Sequence, residues 1–531
     1  MAEQDKKISS KLRKIDRVLK WIDLGLLIFL LIAALFFRAP WKVIALLLII
    51  IAVCTVLPKP YRKWFWLSVA AIVLMLIIWI FLPDDNEGWR PYTFVEELAA
   101  LEAKYAIPDS ENAATIYNNL LEGYDFDTML ADFLDPNLEN LTRCEPWSSE
   151  NYPELAKWLE ERKYIIEKLL EASKFEKCRF PIVTEPWSLS QSTHQATKRL
   201  WAKLLIRAAN NDLADGRINE AIEKNLAIFQ MAKHQYQHPM ATDLLVALAI
   251  EAFATKQCNK FVVNDNAEEE HLNIFEKAVA DIKHGWDSDI TRILECEKLM
   301  AKNMMCGMAY EIHSDGRTRF SRDPAAAMRS EFPQELPPLT YWQTRLAKAG
   351  TVLGWFFMPS TPQKAGEIID GSYEQLYSII EPDFDWEKEP AELSLRSIRF
   401  NFGFLAKLLV NMSEQSYYKI HDLYLRNIAE RRGTLLIIGL RRYKNKTGQW
   451  TQKLDEVKSL ATAEIFVDPF NNGSFIYKLT EEDFTLYSKG KNNIDEDGKY
   501  KRRYGETSEG DDWLIWPTSN RKTRNQKADS E

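Results

Sequence analysis

The chain has 531 residues, 46% of them hydrophobic, and a formal net charge of -8. This length allows two or three domains with sizeable cores, and six cysteines are too few for a disulfide scaffold. Through Lys63, twelve Lys or Arg face four Asp or Glu, a balance of +8 that leaves -16 for the rest. So acidic a body excludes nucleic acid as a natural partner.

Three apolar runs open the chain, Trp21 to Phe37, Val43 to Leu57 and Trp64 to Leu82, of 15 to 19 residues each. They approach the roughly 20 residues that cross a hydrocarbon core, so residues 21–83 are expected to be a three-span transmembrane anchor. Lys6, Lys7, Lys11, Arg13, Lys14, Arg17 and Lys20 precede the first run. The positive-inside rule makes residues 1–20 a basic cytoplasmic tail, and three crossings carry the rest of the chain outside the plasma membrane. Asp84, Asp85 and Glu87 follow the third run, and Trp21, Trp41, Trp64, Trp66 and Trp79 fall at span ends, where aromatic rings prefer the interface. A cleavable signal peptide is the alternative for the first run alone; it lacks an A-x-A-like exit, and two more runs follow. Asp23 sits close enough to the interface to be hydrated.

Helical periodicity then dominates an expected ectodomain over residues 90–412. It predicts helices over Phe94 to Tyr105, Ala113 to Leu121, Pro153 to Ser173, Ser190 to Leu213, Ile218 to His234, Met240 to Val262, Glu268 to Lys283 and Ser288 to Ile312. Further helices are expected over Tyr341 to Phe357, Pro362 to Ile380 and Leu393 to Met412, with Ser314 to Pro338 a long loop. The nearly apolar Leu244 to Ile250 stretch has to be buried. Ala209, Gly216 and Ala221 match the small-residue spacing of a tetratricopeptide repeat, but no second copy follows at a 34-residue period, which leaves an ordinary antiparallel hairpin as the plainer reading. Cys296 and Cys306 share one helix, roughly 15 Å apart and beyond the roughly 7 Å bonding limit. Cys144 and Cys178, flanking one helix, are the pair in position to bond.

The character changes over residues 413–517. A helix from Tyr417 to Tyr443 precedes short β-type runs at Ile465 to Val467, Phe475 to Tyr477 and Phe484 to Tyr487, with Asn472-Gly473 as a hairpin signal. An acidic loop from Asn493 to Gly498 and a closing Asp511 to Pro517 segment follow, and residues 518–531 are expected to be a disordered tail. The expected architecture is mainly α, with a small α+β C-terminal domain.

That order, a long helix, a crossing with Gly448 and Trp450, Asp468-Pro469-Phe470, a hairpin, Leu486-Tyr487-Ser488-Lys489-Gly490 and an acidic loop, resembles the globular half of the type II secretion major pseudopilin. Pseudopilins carry one span running into the long helix; here three spans and some 330 residues intervene, so pilus assembly is not implied. The family's acidic loop binds calcium, and the resemblance implies a calcium site here. Asn493, Asp495 and Asp497 offer oxygens at alternating positions before Gly498. Tyr504 stands where an EF-hand places its bidentate Glu, so a site has to recruit Asp511 or Asp512; a solvated acidic turn is the alternative.

Cys178-Arg179-Phe180-Pro181, Ala214-Asp215-Gly216, the apolar Leu244 to Ala252 stretch and the C-terminal Asp-Pro-Phe and Leu-Tyr-Ser segments together resemble a group of membrane-anchored helical envelope proteins, of uncharacterised activity, common in planctomycete-type bacteria. The resemblance implies an envelope protein and lends no catalytic residue.

No G-x-S-x-G, P-loop, H-E-x-x-H or paired C-x-x-C occurs. His234 and His238 stand at i, i+4 and could share a metal, but Pro239 ends the helix and two exposed histidines are the plainer reading. Glu268 to His271 reads as a helix start, and Met300, Met304, Met305 and Met308 as core packing or, failing that, a binding groove. Two functions follow: a membrane-anchored scaffold that binds a protein partner of the envelope, or a hydrolase-type enzyme with a site between helices. The first accords better with the missing nucleophile and metal set.

Overall fold

The computed structural model describes residues 90–122, 141–182, 190–264, 267–283, 285–321, 358–379, 402–460, 462–481, 483–500 and 510–517, with scattered positions between 28 and 78. The expected tail 1–20, most of the anchor 21–83, the Tyr341 to Phe357 helix and the tail 518–531 lie outside the described residues. Among the described residues, no helix is long and apolar enough to cross a membrane.

The protein is mainly helical, with a small antiparallel sheet near its C-terminus. Helices α1 (Val95–Tyr105) and α2 (Ala114–Glu122) form where the periodicity places them. The single helix expected over Pro153 to Ser173 is instead two, α3 (Pro153–Glu161) and α4 (Lys163–Ala172). Arg162 causes the break: its Nη1 donates to the Trp158 carbonyl at 3.0 Å, taking the acceptor its own N–H would use, and its guanidinium lies 4.0 Å from the Trp158 ring.

Helices α5 (Ser190–Ala214), α6 (Ile218–Tyr236) and α7 (Ala241–Val263) pack as consecutive neighbours. Gly216 turns the chain between the first two at φ +80, a conformation open to glycine. Ala209 and Ala221 are buried beside that turn, letting the helices approach. On α7, Leu244, Val246, Ala247, Leu248 and Ile250 are buried as expected, but Leu245 in the same stretch is exposed. Helix α8 (Glu269–Ala280) starts in a capping box of Glu268 and His271. Helix α9 (Trp286–Ala309) buries Met305 and packs Met304 against the core, while Met300 and Met308 are only half-buried.

The chain leaves α9 as a strand. β1 (Arg90–Pro91), β2 (Tyr310–Ile312) and β3 (Thr318–Phe320) make an antiparallel sheet, so β structure is not confined to the C-terminus and Tyr310 to Ile312 is not helical. Helix α10 (Pro362–Ile379) follows. The helices expected to end at Met412 and to begin at Tyr417 are one element, α11 (Phe402–Thr447), 46 residues long. It packs on α7, α8 and α10 along part of its length and on the C-terminal sheet along another, so the expected boundary at 412/413 falls inside a helix. That sheet has the order β4 (Ile476–Leu479), β5 (Phe484–Ser488), β6 (Trp513–Trp516). Ile465 to Val467, expected as a strand, forms part of a 3-10 turn with a single bridge from Val467 to Ser474.

Candidate metal centre

β5 ends at Ser488 and the chain returns to β6 at Trp513, so two loop segments meet at the end of the sheet, 489–500 and 510–512. Left-handed backbone at Gly490, Asn493, Asp497, Gly498 and Gly510 makes the tight turns. Gly490 is required for space as well: a Cβ there would sit 2.1 Å from Asp511 Oδ1.

Three carboxylates converge where the segments cross. One oxygen from each of Glu496, Asp511 and Asp512 lies within 4.8 Å of the others. Asp512 is fully buried; its Oδ2 accepts the N–H groups of Glu496 at 2.9 Å and Gly498 at 2.8 Å. Asp511 Oδ2 accepts those of Lys491 at 2.9 Å and Asn492 at 3.3 Å. Glu496 accepts from Gly510 at 2.6 Å and Asp511 at 2.9 Å. The remaining oxygens, Oδ1 of Asp511 and Oδ1 of Asp512, are buried and have no hydrogen-bond partner. Burial raises the pKa of Asp512 to about 6, assisted by the charges of Glu496 and Asp495, and burial also raises that of Asp511. Burial opposes the charged form of Glu496 too, but the N–H bonds from Gly510 and Asp511 outweigh it and hold its pKa low.

The sequence-predicted residues divide into two groups. Asp511 and Asp512 lie in the cluster. Asp495 and Asp497 lie on the other side of the turn, paired with Lys478 at 3.3 and 2.7 Å, and Asp495 also accepts the Tyr487 hydroxyl at 2.5 Å. Asn493 contributes a left-handed turn at φ 57. Glu496 completes the cluster, a residue that the alternating Asn493, Asp495 and Asp497 pattern passes over.

The donor set suits a hard divalent cation. Calcium takes six to eight oxygens, and three carboxylates with two free buried oxygens offer charge and ligands that nothing else in the described structure satisfies. Once bound, such an ion supplies positive charge against three carboxylates and cross-links the two loop segments.

The other sequence candidates are occupied structurally. His234 and His238 are buried, not exposed. The Phe175 carbonyl 2.8 Å from His234 Nε2 can only accept, which puts the proton on that nitrogen and leaves Nδ1 to accept from the Tyr117 hydroxyl at 3.0 Å. His238 Nε2 accepts the Phe180 N–H at 3.2 Å, so its protonated Nδ1 faces Asp243 Oδ2 at 3.5 Å. The two rings therefore serve different partners, and burial depresses both pKa values, that of His234 to about 4. Asp243 also lies 3.8 Å from the buried ammonium of Lys198, whose pKa burial lowers; Lys198 in turn donates to Gln235 at 2.9 Å. Cys144 and Cys178 are free thiols rather than a disulfide, and burial pushes Cys178 up to about 12. No protein-family model, curated protein or solved structure matches this chain.

Proposed function

We propose that this chain is a membrane-anchored scaffold of the bacterial envelope, whose helical ectodomain carries a C-terminal cap organised by calcium and presents a surface to a protein partner. The observation that carries the cation is the convergence of Glu496, Asp511 and Asp512 together with the buried, unpartnered Oδ1 atoms of Asp511 and Asp512. Calcium bound there holds Glu496, Asp511 and Asp512, and draws its remaining oxygens from nearby carbonyls and water. This accords with the pseudopilin resemblance of the cap, with Glu496 as a ligand in place of Asp495 or Asp497. The scaffold reading rests on the helical body. There, Lys198, His238 and Asp243 are engaged with one another and with neighbouring groups of the fold.

The anchor reading is supported by the described positions before residue 80. Leu48, Ile49, Trp64, Leu67, Leu74, Met75 and Ile78 are helical and expose half or more of their surface, as side chains meant for lipid do. Calorimetric titration of the full chain in detergent micelles tests the cation: saturable calcium binding, lost in Asp512→Asn, is expected, and absence of binding by the unaltered chain would sink it. A cytoplasm-specific reporter fused near residue 90 tests the topology, and activity of that reporter would overturn it. Crosslinking in intact cells is expected to recover a repeated protein neighbour through the ectodomain; recovery of none would count against the scaffold.

A further inference from the structure

Both ends of the acidic loop grip one stretch of α11. Before the cluster, Lys491 uses its N–H on Asp511 Oδ2, and its Nζ lies 3.3 Å from Asp422 Oδ1 on α11. The other oxygen of Asp422, a buried residue, takes the guanidinium of Arg426 one turn on, at 2.9 and 2.8 Å. After the cluster, Trp513 lies with its ring 4.6 Å from that guanidinium and donates its indole N–H to Glu430 Oε1 at 3.1 Å. Tyr500, paired with Asp511 across the loop, covers Arg426 from 4.8 Å and accepts its hydrogen bond.

The same face of α11 is fastened to α7. Asn427 donates to the Leu248 carbonyl at 2.8 Å, and Thr255 reaches the second oxygen of Glu430 at 3.4 Å. One chain of polar contacts therefore runs from the carboxylate cluster through Lys491, Asp422, Arg426 and Trp513 into the helical body. Asp511 is the joint: one carboxylate oxygen fixes the backbone of Lys491, and the other lies free in the cluster.

We propose that the cation centre is a latch, in which loading the cluster fixes Lys491 on Asp422 and tightens the seat of α11 on α7. This rests on the calcium reading above and adds what the ion controls. Without a cation, mutual repulsion of Glu496, Asp511 and Asp512 spreads the two loop segments, and the grip on residues 422–430 loosens with them. With one, the segments close and both ends hold the helix. Lys491 is thus a positioning residue, since its side chain transmits the state of the cluster without ligating anything in it.

Hydrogen exchange on the full chain in micelles, with and without calcium, tests the latch, with binding followed separately by titration calorimetry. In the unaltered chain, calcium is expected to slow exchange at least tenfold both in the loop 490–498 and on α7 around Leu248 to Thr255. Lys491→Met leaves the carboxylates intact and is expected to bind calcium within a few-fold of the original affinity. It should protect the loop while losing the protection on α7; Asp422→Asn, which removes the other half of the contact, should do the same. If calcium protects only the loop in the unaltered chain, or if both variants keep full protection on α7, the latch is wrong while the cation site stands. If the unaltered chain binds no calcium, the site itself is wrong and the latch falls with it.

Discussion

In the helical body, Glu251 on α7 is 1% exposed and meets Arg431 of α11 at 2.9 Å, and Lys302 of α9 is clasped by Glu97 and Asp370 at 2.7 and 3.1 Å. Asp212 takes Arg217 and Lys224 at 2.8 and 2.5 Å beside the α5–α6 turn. In the cap, Glu496, Asp511 and Asp512 meet one another instead. Burying a charge is costly unless something opposite compensates it, and these three body sites each close an ion pair within the chain. The cap carboxylates accept mainly backbone N–H groups, with the Asn492 side chain beside Glu496, which satisfy some oxygens but cannot neutralise three charges. The contrast separates carboxylates paired with a cation on a neighbouring element from carboxylates gathered against one another.

The sharpest way to break the comparison is to remove a body cation. Arg431→Met leaves Glu251 buried against the Tyr236 hydroxyl with its countercharge gone, and a loss of about 3–5 kcal/mol in denaturant-induced unfolding is expected. A loss below about 1 kcal/mol would mean the body tolerates uncompensated charge as the cap does.

Next in size is the contact that seats the cap. A Cβ at Gly433 of α11 would lie 2.6 Å from Ile515 of β6, so Gly433→Ala should cost about 1–3 kcal/mol through overpacking despite its better helix propensity. In a double-mutant cycle Ile515→Ala should cost less in the Gly433→Ala background than in the unaltered chain; an equal cost would point to strain in the helix rather than at the sheet.

Neutralising one carboxylate should have opposite signs in the two regions. Asp512→Asn relieves repulsion and is expected to raise the stability of the calcium-free chain by on the order of 1 to 2 kcal/mol, abolishing the gain from calcium. Glu251→Gln is expected to lower stability, since it strands Arg431.

Acid extends the same contrast. The folded state holds a proton on Asp512 up to about pH 6, whereas an unfolded aspartate loses it near the ordinary value of 3.8. That protonation contributes stability fully below about pH 4, and it is lost as pH rises through 6. The calcium-dependent rise in melting temperature should therefore shrink as pH falls through 6, because the proton competes for the ligand. Melting curves with and without calcium at pH 7.5 and 5 measure it, and an undiminished rise at pH 5 would exclude Asp512 as a ligand. The smallest effect is expected from Lys478→Ala, which breaks exposed pairs to Asp495 and Asp497 at about 0–1 kcal/mol and should leave calcium affinity within twofold.

Local signals carried most of the helical body. Gly216 flanked by Ala209 and Ala221 marked the α5–α6 hairpin because the turn and the close approach depend on those residues alone. Helical periodicity runs on through Tyr310 to Ile312, yet these residues pair with Thr318–Phe320 across the Asp315-Gly316 turn and with Arg90–Pro91 some 220 residues away, and neither pairing shows in a local period. The continuity of α11 escaped for a similar reason, since packing on α7, α8 and α10 sustains a helix whose sequence near residue 413 is unremarkable. His234 and His238 looked exposed beside Pro239, but the Phe175 to Phe180 segment covers them. In the cap, Asp511 and Asp512 were legible as recruits. Glu496 was not, because membership of the cluster depends on which side of a left-handed turn a residue falls.

Gly433 also bears on the order in which this molecule is built. The groove it leaves on α11 is filled by Ile515, more than 80 residues later, in the last strand of the sheet. During synthesis α11 and the helices before it can assemble while that groove still faces solvent, and β6 emerges only after the acidic loop has left the ribosome. The cap consequently closes after α11 and the helices before it. A chain interrupted between the end of α11 and residue 515 would present the open groove, a natural point for quality control to recognise an unfinished copy.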